Sequence, residues 1–246
     1  SACCGGRFSL FDVRAGATRA VAASGVVAQR EHLQPVIDDV IVRALTQTVD
    51  MLEGEPDRPA HIKGYMASST AAAKVELAAR FDELAIGGAS ADQSEVLTAA
   101  SAVLQNGIQL EGRQVEAAAA IAGTDRLVSI TGPAGAGKTT MLRVAKAALA
   151  HRGRRMVVVA PTKKAASVAG REVGASASSL HALLSDHGFR WGRDFAGAEF
   201  WTRLTIGEVD SATGVAYAGP SRYRLVPGDR VVVDEAGMVD LHAANA

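Results

Sequence analysis

Leu127-Val128-Ser129-Ile130-Thr131-Gly132-Pro133-Ala134-Gly135-Ala136-Gly137-Lys138-Thr139-Thr140 is the stretch on which the reading of this chain turns. Its first five residues form a short apolar run of the kind that makes a buried parallel strand, and a helical pattern runs from Lys138 to about His151. Between strand and helix, Gly132 to Thr139 fits G-x-x-x-x-G-K-[ST] in full. Glycines let the backbone curl until successive N–H groups face one concavity, where they meet phosphate oxygens. The N-terminus of the following helix adds the positive end of its dipole. Lys138 has the reach for the β- and γ-phosphates of a nucleoside triphosphate, and a hydroxyl at Thr139 is a magnesium ligand in such loops. A Gly-rich turn that merely joined strand to helix would require neither side chain. Gly132, Pro133, Ala134, Gly135, Ala136, Gly137, Lys138, Thr139 and Thr140 are therefore expected to line an ATP site, with ATP and Mg²⁺ as its ligands.

Downstream, two further apolar runs read as strands, Met156 to Ala160 (MVVVA) and Arg230 to Asp234 (RVVVD). Helical sequence covers Lys164 to Glu172 and Ser179 to Leu184. Short apolar strands alternating with helices predict an α/β domain built on a parallel sheet covered on both faces. An apolar strand ending in Asp234-Glu235 puts two carboxylates at the C-terminal edge of that sheet, where ligands bind in open α/β folds. Alone, such a pair is more often a turn. After a phosphate loop it reads as Asp234 holding Mg²⁺ through water and Glu235 polarising the attacking water, so that Lys138 and Glu235 are the candidate catalytic residues. The adjacent Glu favours water over a small molecule as the phosphoryl acceptor. Between 186 and 228, where Trp191, Trp201 and the breakers Gly219-Pro220 and Pro227-Gly228 fall, an irregular or hairpin insertion is expected.

Upstream, the first hundred residues read as mainly helical. Helices are predicted over Phe8 to Val21, from Ile37 through Leu52, and over Thr70 to Ile86. Ser90 and Gln93 make a capping-box pair for a helix carrying Val96, Leu97, Ala100, Val103 and Leu104. A helix around Arg113 to Ala122 precedes the phosphate loop. Gly107 marks the expected boundary between a helical region, residues 1–106, and the P-loop domain, residues 107–246.

The strings LVSITGPAGAGKTT, VVVAPTKKAA and RYRLVPGDRVVVDEAGMVD together resemble RecD-like superfamily 1 helicases, and most closely the helicase region of conjugative relaxase-helicases of the TrwC/TraI type (MobF class). The resemblance covers about residues 105–246. It implies a RecA-like P-loop motor domain acting on single-stranded DNA in conjugative transfer. In that family an L-x-x-x-Q pattern upstream of the loop carries the Gln that reads the adenine edge, and Leu110 and Gln114 stand at its spacing. Ala160-Pro161-Thr162-Lys163 matches the motif that touches the single-strand backbone. Ser179-Leu180-His181 resembles the next element with Ser in place of Thr. The DNA contacts implied are thus Thr162, Lys163 and His181, although Thr162 also suits a helix cap and His181 an ordinary packed histidine.

The six histidines are scattered without a pair at metal-ligand spacing, so DNA nicking by this chain is not expected. The sequence ends eleven residues after Glu235, before the family's later motifs, its second motor domain, and the strand that lies between the first and third strands named above. The expectation is a truncated RecA-like domain that lacks unwinding activity by itself. A remnant, or a nucleotide-binding module completed by another chain, is the alternative, and a P-loop small-molecule phosphotransferase is the more distant one.

Composition is that of a globular chain, 48% hydrophobic and 21% charged, which excludes extended disorder. The formal net charge is zero, yet residues 1–105 hold 9 Lys+Arg against 13 Asp+Glu while the remainder holds 17 against 13, so a polyanion would favour the C-terminal half. Cys3 and Cys4 are adjacent and have no second pair, and no apolar run reaches the length of a membrane span. A reducing, cytoplasmic setting is expected.

Overall fold

Five consecutive apolar residues are buried on both sides only inside a covered sheet, and Met156–Ala160 holds that place, buried at every residue. The computed structural model describes residues 6–55, 57–104, 107–133, 135–193 and 199–246, so the expectations for Cys3 and Cys4 and for Ala134 lie outside the described residues. The chain forms two compact units, Ser1–Ala78 and Ala79–Ala246.

The first unit contains β1 (Arg7–Phe8), α1 (Leu10–Ala23), α2 (Arg30–Leu45), β2 (Thr48–Asp50) and β3 (Tyr65–Ala67), and α3 (Ser68–Ala85) crosses the division. Ser9 starts α1 through a reciprocal cap: its hydroxyl accepts from the Asp12 N–H at 3.2 Å, and the Asp12 carboxylate accepts from the Ser9 N–H at 2.8 Å. The strands form a small antiparallel sheet in the order β1-β3-β2, which the sequence did not signal, within a region that is otherwise mainly helical as expected. α2 stops at Leu45 instead of running on to Leu52, because Thr48 pairs with Ala67 and Asp50 with Tyr65. Arg58 closes the intervening loop, ion-paired with Asp50 at 2.5 Å and lying 4.6 Å from the Tyr65 ring centroid.

The second unit runs α4 (Gln93–Val103), α5 (Gly112–Ala122), α6 (Lys138–His151), β4 (Met156–Ala160), α7 (Lys163–Val173), β5 (Ser176–Ser179), α8 (Leu180–Asp186), β6 (Phe189–Arg193), β7 (Glu199–Arg203), β8 (Arg230–Val233), a 3-10 turn (Ala236–Met238) and α9 (Leu241–Asn245). Its parallel sheet has the order β5-β4-β8, with Val157 opposite Ser176 on one side and Val231 on the other. Alternate residues of β4 point to opposite faces. Met156 and Val158 join a core with α4, α5, α6 and α7, in which Val96, Ala118, Val144 and Leu149 are fully buried. Val157 and Val159 join a second core with Leu180, Leu183 and Leu184 of α8, against which Phe189, Trp201 and Tyr223 pack. Each fully buried Val or Leu contributes about 1.5–3 kcal/mol relative to exposure.

Two local expectations are corrected in this unit. The cap of α4 is Asp92, whose carboxylate accepts from the Ser94 N–H at 2.7 Å, so Ser90 and Gln93 form no capping box. Residues 89–91 are instead held along α5, with the Ala91 N–H on the Ala119 carbonyl and the Thr124 N–H on the Ala89 carbonyl. More consequentially, residues 127–131 form no strand. A strand exists by its ladder, and among the described residues this run finds none; Leu127 and Ile130 each remain 37% exposed. β8 is correspondingly an edge, since the N–H groups of Arg230 and Asp234 bond to the carbonyls of Arg155 and Val159, which turns the backbone groups of Val231 and Val233 away from β4.

The 186–228 segment contains the expected hairpin. β6 and β7 pair antiparallel, with Trp191 opposite Trp201. The chain beyond them is fastened by Asp186, whose carboxylate accepts from the backbone N–H groups of Ser221, Arg222 and Tyr223, the last at 2.7 Å. Burial alone would raise the pKa of this group, but those N–H bonds and the Ser221 hydroxyl outweigh it and hold the carboxyl below its usual range.

Candidate nucleotide site

The phosphate loop takes the backbone shape that its glycines permit. Gly135 (φ 78°) and Gly137 (φ 71°) are left-handed, and Gly137 is the N-cap of α6. A side chain at Gly137 is opposed by its φ; a Cβ there would also lie 2.7 Å from Gln114 Nε2, the far end of a side chain that would have to swing away from the loop. At Gly132 a Cβ would meet only ordinary contacts, the nearest at 3.5 Å. α6 then opens with Lys138, Thr139 and Thr140, whose N–H groups precede the first intrahelical bonds and point out of the helix end.

The loop's polar side chains are engaged within the protein. Lys138 Nζ donates to the carbonyls of Gly132 at 2.8 Å and Pro133 at 3.4 Å, folding back over the loop. The Thr139 hydroxyl donates to Glu172 Oε2 of α7 at 3.3 Å. Gln114, which the resemblance assigns to the adenine edge, is bonded within the protein: Nε2 donates to the Ala136 carbonyl at 2.9 Å, while Oε1 accepts from the Glu111 N–H at 2.9 Å as part of the α5 cap. One side chain thus links the start of α5 to the phosphate loop.

Asp234 and Glu235 follow β8 at the C-terminal edge of the sheet. The Asp234 N–H bonds to the Val159 carbonyl at 2.8 Å, extending the β8–β4 ladder by one residue, and Asp234 Oδ1 accepts from the Glu235 N–H at 3.1 Å. Glu235 has φ 55° and ψ 38°, the single non-glycine residue of positive φ among the described residues. Such a conformation costs roughly 1–2 kcal/mol in an L-residue and persists where the surroundings impose it. No hydrogen bond or ion pair among the described residues joins Asp234 or Glu235 to Lys138 or Thr139. The loop and the acidic pair are each formed, but the structure does not join them.

The remaining sequence candidates follow the C-terminal edge of the sheet. Ala160 and Ser179 are register partners at the ends of β4 and β5; Lys163 then opens α7, which packs on the Met156 and Val158 face, and His181 lies in α8, which packs on the Val157 and Val159 face. Thr162 caps α7, accepting from the Ala165 N–H at 3.1 Å, and Lys163 is exposed. Ser179 caps α8. The His181 ring lies 5.0 Å from that of Trp191 and 6.1 Å from that of Trp201, with Nε2 4.0 Å from the Asp240 carboxylate.

Three residues that the sequence did not single out hold this arrangement. Arg230 donates to the carbonyls of Asp125 at 2.7 Å and Gly123 at 3.0 Å, and Arg154 donates to those of Gly123 at 2.6 Å and Gly228 at 2.7 Å. They clamp the turn that leads into 127–131 beside the start of β8. Burial, with the neighbouring Arg154 charge, lowers the Arg230 pKa from its ordinary value. Glu172 is the third, as the partner of Thr139. Lone arginines and a helix glutamate carry no motif, so nothing in the sequence signalled them.

The left-handed glycines, the outward N–H groups and the lysine at the helix start fit a nucleotide's phosphates. Hydroxyl and carboxylate oxygens at Thr139 and Asp234 are the hard donors that Mg²⁺ takes, with water completing its shell. Among the described residues no group of three or more His, Cys, Asp or Glu side chains is placed to hold a metal by itself. Fold and loop together define a P-loop nucleotide-binding domain with a mixed α/β architecture. A family model described as AAA domain matches residues 109–246, more than half of the chain, and the chain belongs to that family, a P-loop NTPase family that contains RecD-like helicases. No curated protein matches the chain. No helix of the described residues is long and apolar enough to cross a membrane.

Proposed function

We propose that this chain is the ATP-binding motor portion of a DNA helicase of the conjugative relaxase-helicase kind, working on single-stranded DNA. The observation that carries the reading is the loop, in which two left-handed glycines lead into a fourteen-residue helix whose first residues are Lys138 and Thr139. The N–H groups of Lys138, Thr139 and Thr140 take the phosphates, and Lys138 exchanges the Gly132 and Pro133 carbonyls for phosphate oxygens. Gln114 exchanges its bonds to the Ala136 carbonyl and the Glu111 N–H for the adenine edge. Bound Mg²⁺ would neutralise phosphate charge, with the Thr139 hydroxyl, released from Glu172, and Asp234 as its protein donors. Glu235 orients the attacking water. Thr162, Lys163 and His181, which follow the paired ends of β4 and β5, meet the single strand.

A second reading, a nucleotide-binding module whose sheet is completed by another chain, is favoured by the edge of β8 and the run at 127–131, neither of which finds a strand partner among the described residues. The two readings share the nucleotide site and differ in the DNA.

Fluorescence anisotropy with a labelled thymidine oligomer and a duplex of equal length tests the DNA reading. Single strand is expected to bind more tightly, and Lys163→Ala to flatten the dependence of log K on log salt by about 0.7, the share of one phosphate contact on a single strand. Equal binding of duplex and single strand, or a salt slope unchanged by Lys163→Ala, would contradict it.

A further inference from the structure

Both tryptophans of the chain lie in one ring stack, although aromatic residues make up only 4% of the sequence. Trp191 and Trp201 face each other across the β6–β7 hairpin with ring centroids 4.9 Å apart and planes at 23°. The Trp201 ring is nearly parallel to that of His242, at 6.5 Å and 14°, and the His181 and Trp191 rings meet at 5.0 Å with their planes at 65°. Trp201 packs on the core beneath and is locked by its indole N–H, which donates to Glu199 Oε1 at 2.9 Å. Trp191 is different. It carries the outer ring of the stack and remains 38% exposed, held in place by aromatic neighbours instead of being buried by them.

We infer that Trp191, backed by Trp201 and His181, is a stacking platform for an unpaired base of a single-stranded nucleic acid. The inference rests on the single-strand reading above and deepens it by naming the side chain that takes the base. Three observations choose this occupant over an apolar protein segment. The platform is a flat ring pre-ordered by a second ring, the geometry that a base's π-face accepts without regard to sequence. Arg193 and Arg203 share the hairpin face of the tryptophans by register, and Arg203 lies 5.1 Å from the Phe189 ring centroid, so cations flank the rings, with Glu199 and Asp240 as the acidic neighbours. His181 follows the end of β5 and Lys163 the paired end of β4, so the stack and Lys163 belong to the same C-terminal edge of the sheet.

Because the chain has no other tryptophan, its intrinsic emission reports on this stack alone. Titration of the full chain with a thymidine oligomer, and in a parallel arm a uridine oligomer, is followed by anisotropy of the labelled oligomer and by tryptophan emission. Stacking is expected to quench the emission in step with the anisotropy rise. Trp191→Ala is expected to weaken binding by roughly tenfold or more, and Trp191→Phe to retain most of it. Quenching by both oligomers identifies the base ring as the recognised chemistry, and quenching by one assigns the platform to DNA or to RNA. A rise in anisotropy without quenching, with Trp191→Ala binding like the wild type, would overturn the platform while leaving the single-strand reading standing. No anisotropy rise with either oligomer would overturn both. Circular dichroism melts of Trp191→Ala guard against a folding defect, and a melt matching the wild type is expected for so exposed a ring.

Discussion

At the residue scale, the phosphate loop shows that its glycines are not equivalent. Gly132 and Gly137 are the two fixed glycines of the motif, yet the structure requires only the second by sterics. Gly137→Ala forces an L-residue to φ 71° and drives its Cβ against Gln114, at a cost of roughly 1–2 kcal/mol, which for a chain of this size lowers the melting temperature by a few degrees. Gly132→Ala is expected to melt with the wild type. Paired thermal melts of the two variants check this, and equal losses at both positions would contradict the assigned geometry. Gly132 is then fixed by what approaches the backbone there, which suits a phosphate group.

At the element scale, legibility followed the source of each element's stability. α6 and β4 have the bounds that the sequence gives them, because each carries its own pattern and meets a covered core. The run at 127–131 has as good a strand pattern as Met156–Ala160, but a pattern specifies a face and not a partner, and no ladder forms there. β2 was hidden for the opposite reason: Val49 and Leu52 continue the apolar spacing of α2, and only pairing with β3, which starts fifteen residues beyond the end of β2, ends the helix. Of the candidate site, Gln114 was legible through a family resemblance and not for its bond to the Ala136 carbonyl, and Glu172, Arg154 and Arg230 act through contacts that carry no sequence signature. Hydrogen exchange reads this element by element. The amides of Val157, Val158 and Val159 are expected among the slowest in the chain, those of Val128, Ser129 and Ile130 among the fastest, and Val231 and Val233 faster than Val232. Slow exchange at 128–130 would show that this run is paired in solution.

At the scale of the whole molecule, the family match begins at residue 109, yet the core that supports the loop starts earlier, since Val96, Ala99 and Ala100 of α4 pack with α5 and α6. The scaffold of α6 therefore includes a helix outside the matched region. The loop, its Gln114 anchor and the acidic pair all belong to the unit Ala79–Ala246. The central claim is that the head of α6 binds the phosphates of ATP, with Lys138 as the cation that moves from loop carbonyls to phosphate. Isothermal titration of the 246-residue chain with Mg-ATP addresses it directly, with Lys138→Ala as the matched variant. Saturable binding at one site, weakened about tenfold or more by the variant at unchanged melting temperature, is the expected result. Equal heats for wild type and Lys138→Ala, or no binding by the folded wild-type chain, would contradict it.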